Sequence, residues 1–385
     1  MLDQRFSLKW ILFFTCLLIF FKAQAIEPKE ILLGQSAPLS GNFSELGRAY
    51  RDGANLYFDK INSAGGINGR RVKLITLDDA YDAKRAVANT RRLIEKDRVI
   101  ALFGHMFTNT VFASLPIATA AGVPYVGPYA GNDELYAHPV NPFLFMTRAS
   151  YSSELDALLR HVNTMRLNRI ALVRYDSVGG IALQHDLELK MKAFALLPVG
   201  ISVIKLNASV DSAVAASLAR MQPSAIVLGV SGKDAVAFVR AFDRANKKAP
   251  VQFLARSLIG GNELVAELSD EARGIVISQA APSPFNGKTR ISREYETALK
   301  TQLLKTNNQL SASYIGLEGF IAAKVMVEGL RRTGSQLSRP NLARALASIH
   351  KWDAGDFVIN YSDKDHSGSK FFTVTVVGAN GHFIE

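Results

Sequence analysis

The chain has 385 residues, 48% apolar and 21% charged, with a formal net charge of +11 and one cysteine. That length suits roughly two to three domains, and the composition excludes a disordered or fibrous chain. A single cysteine excludes an intramolecular disulfide, a zinc ribbon and a cysteine-held iron–sulfur cluster.

The first element is a targeting segment. Arg5 and Lys9 precede a mainly apolar run over 10–21, shorter than the ~20 residues that span a bilayer. Ala23-Gln24-Ala25 then has the small-x-small form of a cleavage site. A cleaved signal peptide over 1–25 is expected, with an uncleaved anchor as the rival reading; cleavage leaves an exported, cysteine-free protein that its core must hold together. The longest later helical stretch, around 312–332, carries Glu318, Lys324 and Glu328 and does not read as a membrane span.

Strands and helices then alternate. A strand over 31–35 runs into the turn-rich loop Ser36-Ala37-Pro38-Leu39-Ser40-Gly41. Leu46, Ala49, Tyr50, Ala54, Tyr57 and Ile61 keep helical spacing up to the stop at Gly65-Gly66. A strand over 72–78, a helix capped by Asp82, a strand over 99–103, a helix to about 121 and a strand over 124–126 follow. A second alternating set covers 153–278, then helices over 293–305, 313–332 and 339–349, and strands over 357–360 and 371–377. The βαβ order predicts parallel sheets covered by helices in two α/β lobes.

In such sheets ligands sit beyond the carboxyl ends of strands, where strand order reverses. With the order 2-1-3-4, the reversal lies between the first and third strands, whose exits are 36–41 and 105–110. Both exits feed helix N-termini, which favour an anion. Capping by Ser40, Ser44, Thr108 or Asn109 explains the same residues.

Catalytic patterns are missing. There is no Gly-x-Ser-x-Gly and no P-loop, and the seven histidines show no i,i+3 or i,i+4 pairing. No metal, no cofactor and no enzymatic activity are therefore expected. Asp78, Asp79 and Asp82 fit turn and capping chemistry better than acid–base work. The basic pairs Arg70-Arg71, Arg91-Arg92, Lys247-Lys248 and Arg331-Arg332 are scattered and not interleaved with aromatics, so no nucleic-acid partner is expected.

A set of ordered motifs carries a family resemblance. These are 33–41 (LGQSAPLSG), Gly47, Gly53-Ala54, 61–69 (INSAGGING), 78–82 (DDAYD), Phe103-Gly104-His105 with Thr108, and Gly122-Val123-Pro124. Arg148-Ala149-Ser150-Tyr151, Ser278-Gln279, Pro282-Ser283-Pro284 and 365–369 (DHSGS) continue the pattern. Together they resemble the periplasmic branched-chain-amino-acid-type (Leu/Ile/Val-binding-like) binding proteins over essentially the whole exported chain. The resemblance implies a type I periplasmic-binding fold: two Rossmann-like lobes with parallel-type sheets joined by three hinge crossings. Those crossings are expected near 147–148, 278–279 and 358–360. Lobe 1 would be 26–147 plus 279–357, and lobe 2 would be 148–278 plus 358–385. It also implies a periplasmic monomer that closes on a small molecule and delivers it to an inner-membrane ABC permease, or presents it to a membrane sensor. An exported α/β enzyme is the disfavoured alternative.

The implied ligand residues transfer in part. The hydroxyl that holds an α-carboxylate aligns with Thr108, with Asn109 beside it. The next loop aligns with Tyr129-Ala130-Gly131, where Gly131 replaces an expected hydroxyl. An expected aromatic wall falls on Leu46 and another on Gly179. The carboxylate that pairs with a ligand ammonium falls on Ser257, so an ordinary amino acid would leave a buried ammonium unpaired. Arg148 and Arg256 bring positive charge to the cleft region and suit capture of a carboxylate. Salt bridges within the lobes are the competing reading for both. Tyr151 and Ser231 complete the candidates, and Asp176 is the candidate replacement acid. The ligand is expected to be an organic acid, an amino acid or an amide, with the organic acid preferred.

Overall fold

A computed structural model describes residues 30–206, 208–306 and 310–385. The proposed signal peptide lies outside these residues.

The first sheet is built from β1 (Ile31–Ala37), β2 (Val72–Asp78), β3 (Ala101–Phe103), β4 (Tyr125–Val126) and β5 (Leu144–Phe145). All its pairings are parallel, in the order β2-β1-β3-β4-β5. Strand order therefore reverses between β1 and β3, the arrangement that would place the cleft at the exits 36–41 and 105–110. The apolar run 101–103 is fully buried, consistent with a parallel sheet covered on both faces. The covering helices include α1 (Ser44–Ser63), α2 (Ala83–Glu95) and α3 (Thr108–Ala120).

The second lobe holds β6 (Arg169–Tyr175), β7 (Leu197–Ile204), β8 (Ala225–Gly229), β9 (Gln252–Ala255) and β10 (Val276–Gln279), parallel in the order β10-β9-β8-β6-β7. Its strand order reverses between β6 and β8. The surrounding helices are α4 (Tyr151–Thr164), α5 (Val178–Ala193), α6 (Ser212–Arg220), α7 (Gly232–Ala245) and α8 (Gly261–Leu268). Helix α8 was not expected, because Gly260-Gly261 at its start reads as loop.

After β10 the chain returns to the first lobe as α9 (Arg290–Thr306), α10 (Tyr314–Arg332) and α11 (Arg339–Ala347). Helix α10 packs on α1 with almost no side chain between the backbones. A Cβ at Gly53 would fall 1.9 Å from the Gly316 carbonyl oxygen, and one at Gly319 would fall 2.1 Å from that of Tyr50. A larger residue at either position would push the helices apart.

The next strands pack beside the end of the first sheet. Strands β11 (Trp352–Asp353), β12 (Val358–Ser362) and β13 (Asp365–Gly368) form a small antiparallel sheet. It stays beside β5: Met146 N donates to His366 O at 2.9 Å, and the Tyr361 hydroxyl donates to Met146 O at 2.6 Å. The His366 ring stacks on Phe145 at 4.2 Å. The chain re-enters the second sheet only at β14 (Thr373–Val377), antiparallel to β10, followed by β15 (Phe383–Ile384). Ile359 and Tyr361 are buried, so their alternation faces the first lobe.

Candidate functional site

The carboxyl ends of the two sheets face each other. Between them lies a cavity of ≈50 Å³, space for a few water-sized groups. Its walls come from the loops that topology singled out. Phe43, Tyr81, Phe107 and Thr108 follow β1, β2 and β3, while Tyr175 ends β6 and Ser177, Gly179 and Gly180 follow it. Gly229, Ser231, Arg256 and Leu258 follow β8 and β9, and Tyr151 opens α4. A larger depression of ≈510 Å³, lined among others by Arg51, Asp59 and Lys73, opens on the outer face of α1. It lies by the start of β2, away from the strand ends and helix N-termini that make an anion site.

Three helix N-termini reach the cavity: α3 at Thr108, α5 behind Ser177 and α7 behind Ser231. The Ser177 hydroxyl accepts from Gly180 N at 3.2 Å and caps α5. No side chain caps α3 or α7. Ahead of α3, Phe107 has φ 65° and ψ 152°. That backbone region normally belongs to glycine, and strain of this kind clusters at functional sites.

The two arginines have opposite surroundings. Arg148 is 2% exposed and does not line the cavity. Its guanidinium pairs with Glu154 at 3.0 Å and Glu318 at 3.5 Å, and Nη2 also donates to the Ser257 hydroxyl. Burial opposes its charge, but the two carboxylates hold it firmly cationic. This is the salt-bridge alternative. Glu154 is further fixed by Ser257 N at 2.8 Å, the Ser257 hydroxyl at 3.0 Å and the Ser278 hydroxyl at 2.7 Å. The network ties Arg148 and Ser278 to α4 and α10. Burial pushes the Glu318 carboxyl up to about 7, against the pull of Arg148.

Arg256 lines the cavity, and its guanidinium stacks on the Tyr151 ring at 4.4 Å. It forms no ion pair with a carboxylate among the described residues. Burial lowers its pKa, only partly offset by Tyr151 and more distant acids. The Tyr151 hydroxyl is buried without a hydrogen-bond partner, and burial raises its pKa to about 12, so it stays a donor. No Asp or Glu lines the cavity.

Of the other residues singled out by sequence, Thr108, Gly179 and Ser231 line the cavity and the rest do not. Leu46 is buried against Gly260 of the second lobe; the aromatic wall falls instead on Phe43, Tyr81 and Phe107. Asn109 sits in the first turn of α3. The Tyr129 hydroxyl donates to Ser257 O at 3.1 Å, and its ring lies under Arg148. Ala130 is buried beside it. Gly131 has no side chain because the Tyr151 ring fills that place: a Cβ would fall 2.5 Å from it. Ser257 belongs to the Arg148 network. Asp176 is exposed, accepts from Leu206 N at 2.7 Å and does not line the cavity. Asp78 and Asp82 serve the turn and the cap of α2, as their spacing suggested.

The lobes touch around the cavity mouth. The Asn42 amide donates to Asp234 at 2.8 Å and its oxygen accepts from Lys233 N at 3.2 Å. The Tyr175 hydroxyl also donates to Asp234, at 2.8 Å. These contacts join the β1 exit to α7 and clasp the lobes in a closed arrangement.

Known proteins share this architecture. A family model described as periplasmic binding protein matches residues 30–382. An amino acid binding protein of Pseudomonas aeruginosa is 28% identical over 154 residues, 40% of this chain and 41% of that protein. The chain thus aligns with less than half the length of the curated relatives it matches. A substrate-binding periplasmic protein from Ralstonia solanacearum has a TM-score of 0.86 at 30% identity, covering 92% of this chain and 99% of its own. A solute-binding protein from R. palustris, solved with benzoate, has a TM-score of 0.80 at 19% identity, covering 92% and 95%, and shares the fold. With two lobes, three crossings and a cavity between opposed strand ends, the chain belongs to the periplasmic binding protein family, in its Leu/Ile/Val-binding type I branch.

Proposed function

We propose that this protein is exported through cleavage of residues 1–25 and captures a small carboxylate-bearing ligand that lacks an α-ammonium group. Binding is non-covalent, with no chemical conversion. The first lobe offers the start of α3, the second lobe brings Arg256 and the starts of α5 and α7, and closure excludes water. An inner-membrane ABC importer then receives the ligand from the closed form. Lobe 1 spans 26–147 and 280–368, and lobe 2 spans 148–279 and 369–385.

Arg256 carries this reading. A buried guanidinium without a carboxylate partner is costly unless an anion arrives to pair with it. The unpaired Tyr151 hydroxyl adds a second donor on the same wall. The name of the P. aeruginosa relative favours an amino acid. Against that, no acid lines this cavity to receive an ammonium, and Glu154 is enclosed by Arg148, Ser257 and Ser278.

A thermal-shift panel on ligand-stripped protein tests this, with each amino acid beside its 2-oxo acid. Ligand at a hundredfold excess over Kd adds about 2.7 kcal/mol of stability. Stabilisation by 2-oxo acids but not by amino acids is the expected result. Stabilisation by amino acids alone would sink the proposal.

A further inference from the structure

The far end of the second lobe carries a charge pattern that the cavity does not use. Strands β6 to β10 run parallel, so their amino ends share one face, opposite the cavity. Backbone bonds join the loops there. Leu197 N donates to Asn168 O at 2.8 Å, Ser224 N to Arg169 O at 2.8 Å, and Gln252 N to Ser224 O at 3.1 Å. These loops belong to the stretches 157–175, 189–210, 212–233 and 244–262, which contain no Asp or Glu. On the face they build, Arg166, Arg169, Lys192, Arg220, Lys247 and Lys248 are exposed. Among the described residues none of the six pairs with a carboxylate. The Arg169 guanidinium donates to the Met221 and Gln222 carbonyl oxygens at 2.7 and 3.0 Å. Acids near this end, such as Asp243 and Glu271, gather at the β10 flank, where Arg240 pairs with Glu271 at 3.0 Å. Helices α4 to α7 also end here, and their dipoles offset about half a charge each, so six cations leave the face clearly positive.

Apolar side chains stand among these charges. Met165 is 58% exposed, Leu197 54% and Met221 37%. Arg166 follows the end of α4 with φ 56°, in a place that glycine fills by default. An arginine held in that conformation is strained, as side chains with a function often are.

We propose that this face docks on a bilayer of anionic phospholipid, with the six cations at headgroup level and Met165, Leu197 and Met221 inserted between the headgroups. Each cation is attracted by the negative surface potential, and each apolar tip gains by leaving water. Nucleic acid fits less well. A single-strand platform stacks bases on exposed rings, whereas the aromatic ring of these loops, Phe194, packs against the core of the lobe. The cavity lies at the opposite ends of the same strands, so docking leaves it free to open and close. An exported protein held in this way stays close to a membrane-embedded partner, whatever the cavity binds.

Co-sedimentation of the exported protein with vesicles tests this, using phosphatidylcholine alone and phosphatidylcholine with about 30% phosphatidylglycerol, at about 0.1 M salt. Partition should be at least about tenfold stronger into the anionic vesicles and should fall steeply as salt rises. Lys247→Gln with Lys248→Gln should weaken it about twentyfold. Lys84→Gln with Lys96→Gln removes the same charge from exposed positions at α2 of the first lobe, and should change it by less than about twofold. Equal partition into both vesicle types, or an equal loss in both double variants, would overturn the proposal. So would tighter binding to a single-stranded oligonucleotide than to anionic vesicles of equal phosphate content. The lipid comparison in the unaltered protein stands even if a variant fails to fold.

Discussion

Arg148 and Arg256 should respond to the same substitution in opposite ways. Changing Arg148 to Met leaves Glu154 and Glu318 in a buried site without their cation. Breaking a buried pair in this way typically costs about 3–5 kcal/mol. The lower end applies here, because Glu154 keeps three other donors and Glu318 can take up a proton near neutral pH. The ligand-free melting temperature should fall by on the order of 5 °C. Changing Arg256 to Met removes a stacking contact with Tyr151, about 0.5–2 kcal/mol, and also the cost of a desolvated, unpaired charge. These terms oppose each other, so the ligand-free protein should stay within about 1 kcal/mol of its parent. Acid binding should instead weaken by about 2–5 kcal/mol, or roughly thirtyfold to several thousandfold. Differential scanning fluorimetry without ligand, and titration with the tightest acid of the panel, read the two effects separately. If Arg256→Met lost as much ligand-free stability as Arg148→Met, or still bound the acid undiminished, the assignment of the two arginines would be wrong.

Filling the cavity should block binding without harming the fold: Gly179→Phe is expected to keep the parental melting temperature and weaken acid binding more than about hundredfold, by titration. The interlobe clasp should matter only in the closed form. Asn42→Ala removes two partly exposed hydrogen bonds, so affinity should fall about fivefold while ligand-free stability is unchanged. Glu318 should make the protein less stable as pH rises. Its carboxyl keeps a proton in the folded state up to about 7 but loses it near 4.5 when unfolded, so the folded form binds more protons between these values. The contribution is full below about pH 4.5 and lost by about pH 7, a change of roughly 3 kcal/mol. Urea unfolding of Glu318→Gln and its parent at pH 5 and 7.5 checks this. Taking the difference between the two proteins cancels groups with the opposite trend, such as buried His105, whose pKa burial lowers to about 3. A parent and variant that lose stability equally with rising pH would exclude Glu318 as the source.

Much of the fold is legible in the sequence because period and punctuation are local properties. Leu46, Tyr50, Ala54, Tyr57 and Ile61 share one buried helix face, and the glycines that follow end α1. The strand–helix alternation is enough to anticipate parallel sheets covered by helices, while the lateral order of the strands is seen only in the structure. Strands β5, β11, β13 and β15 escape such a reading because two to four residues carry no period. The placement of 358–362 escapes it because its strand pattern suits either sheet, and Tyr361 packs on Phe145 and bonds Met146 beside β5.

The cavity is divided in the same way. Sequence alone pointed to Thr108, Tyr151, Ser231 and Arg256, which the fold gathers around one space. It passed over Phe43, Tyr81, Phe107 and Tyr175, because an aromatic residue in a loop has the same signature whether it fills a core or lines a site. Nor could it distinguish Arg148 from Arg256. Both are arginines beside small polar residues, and their difference lies in distant carboxylates. Glu154 and Glu318 lie on separate helices that packing brings to Arg148 and not to Arg256. The sequence determined the chain's order of elements and its basic character. Which buried cation is satisfied, and which is left facing a cavity, was decided only by tertiary structure, because charge compensation depends on distance in space and not on separation along the chain.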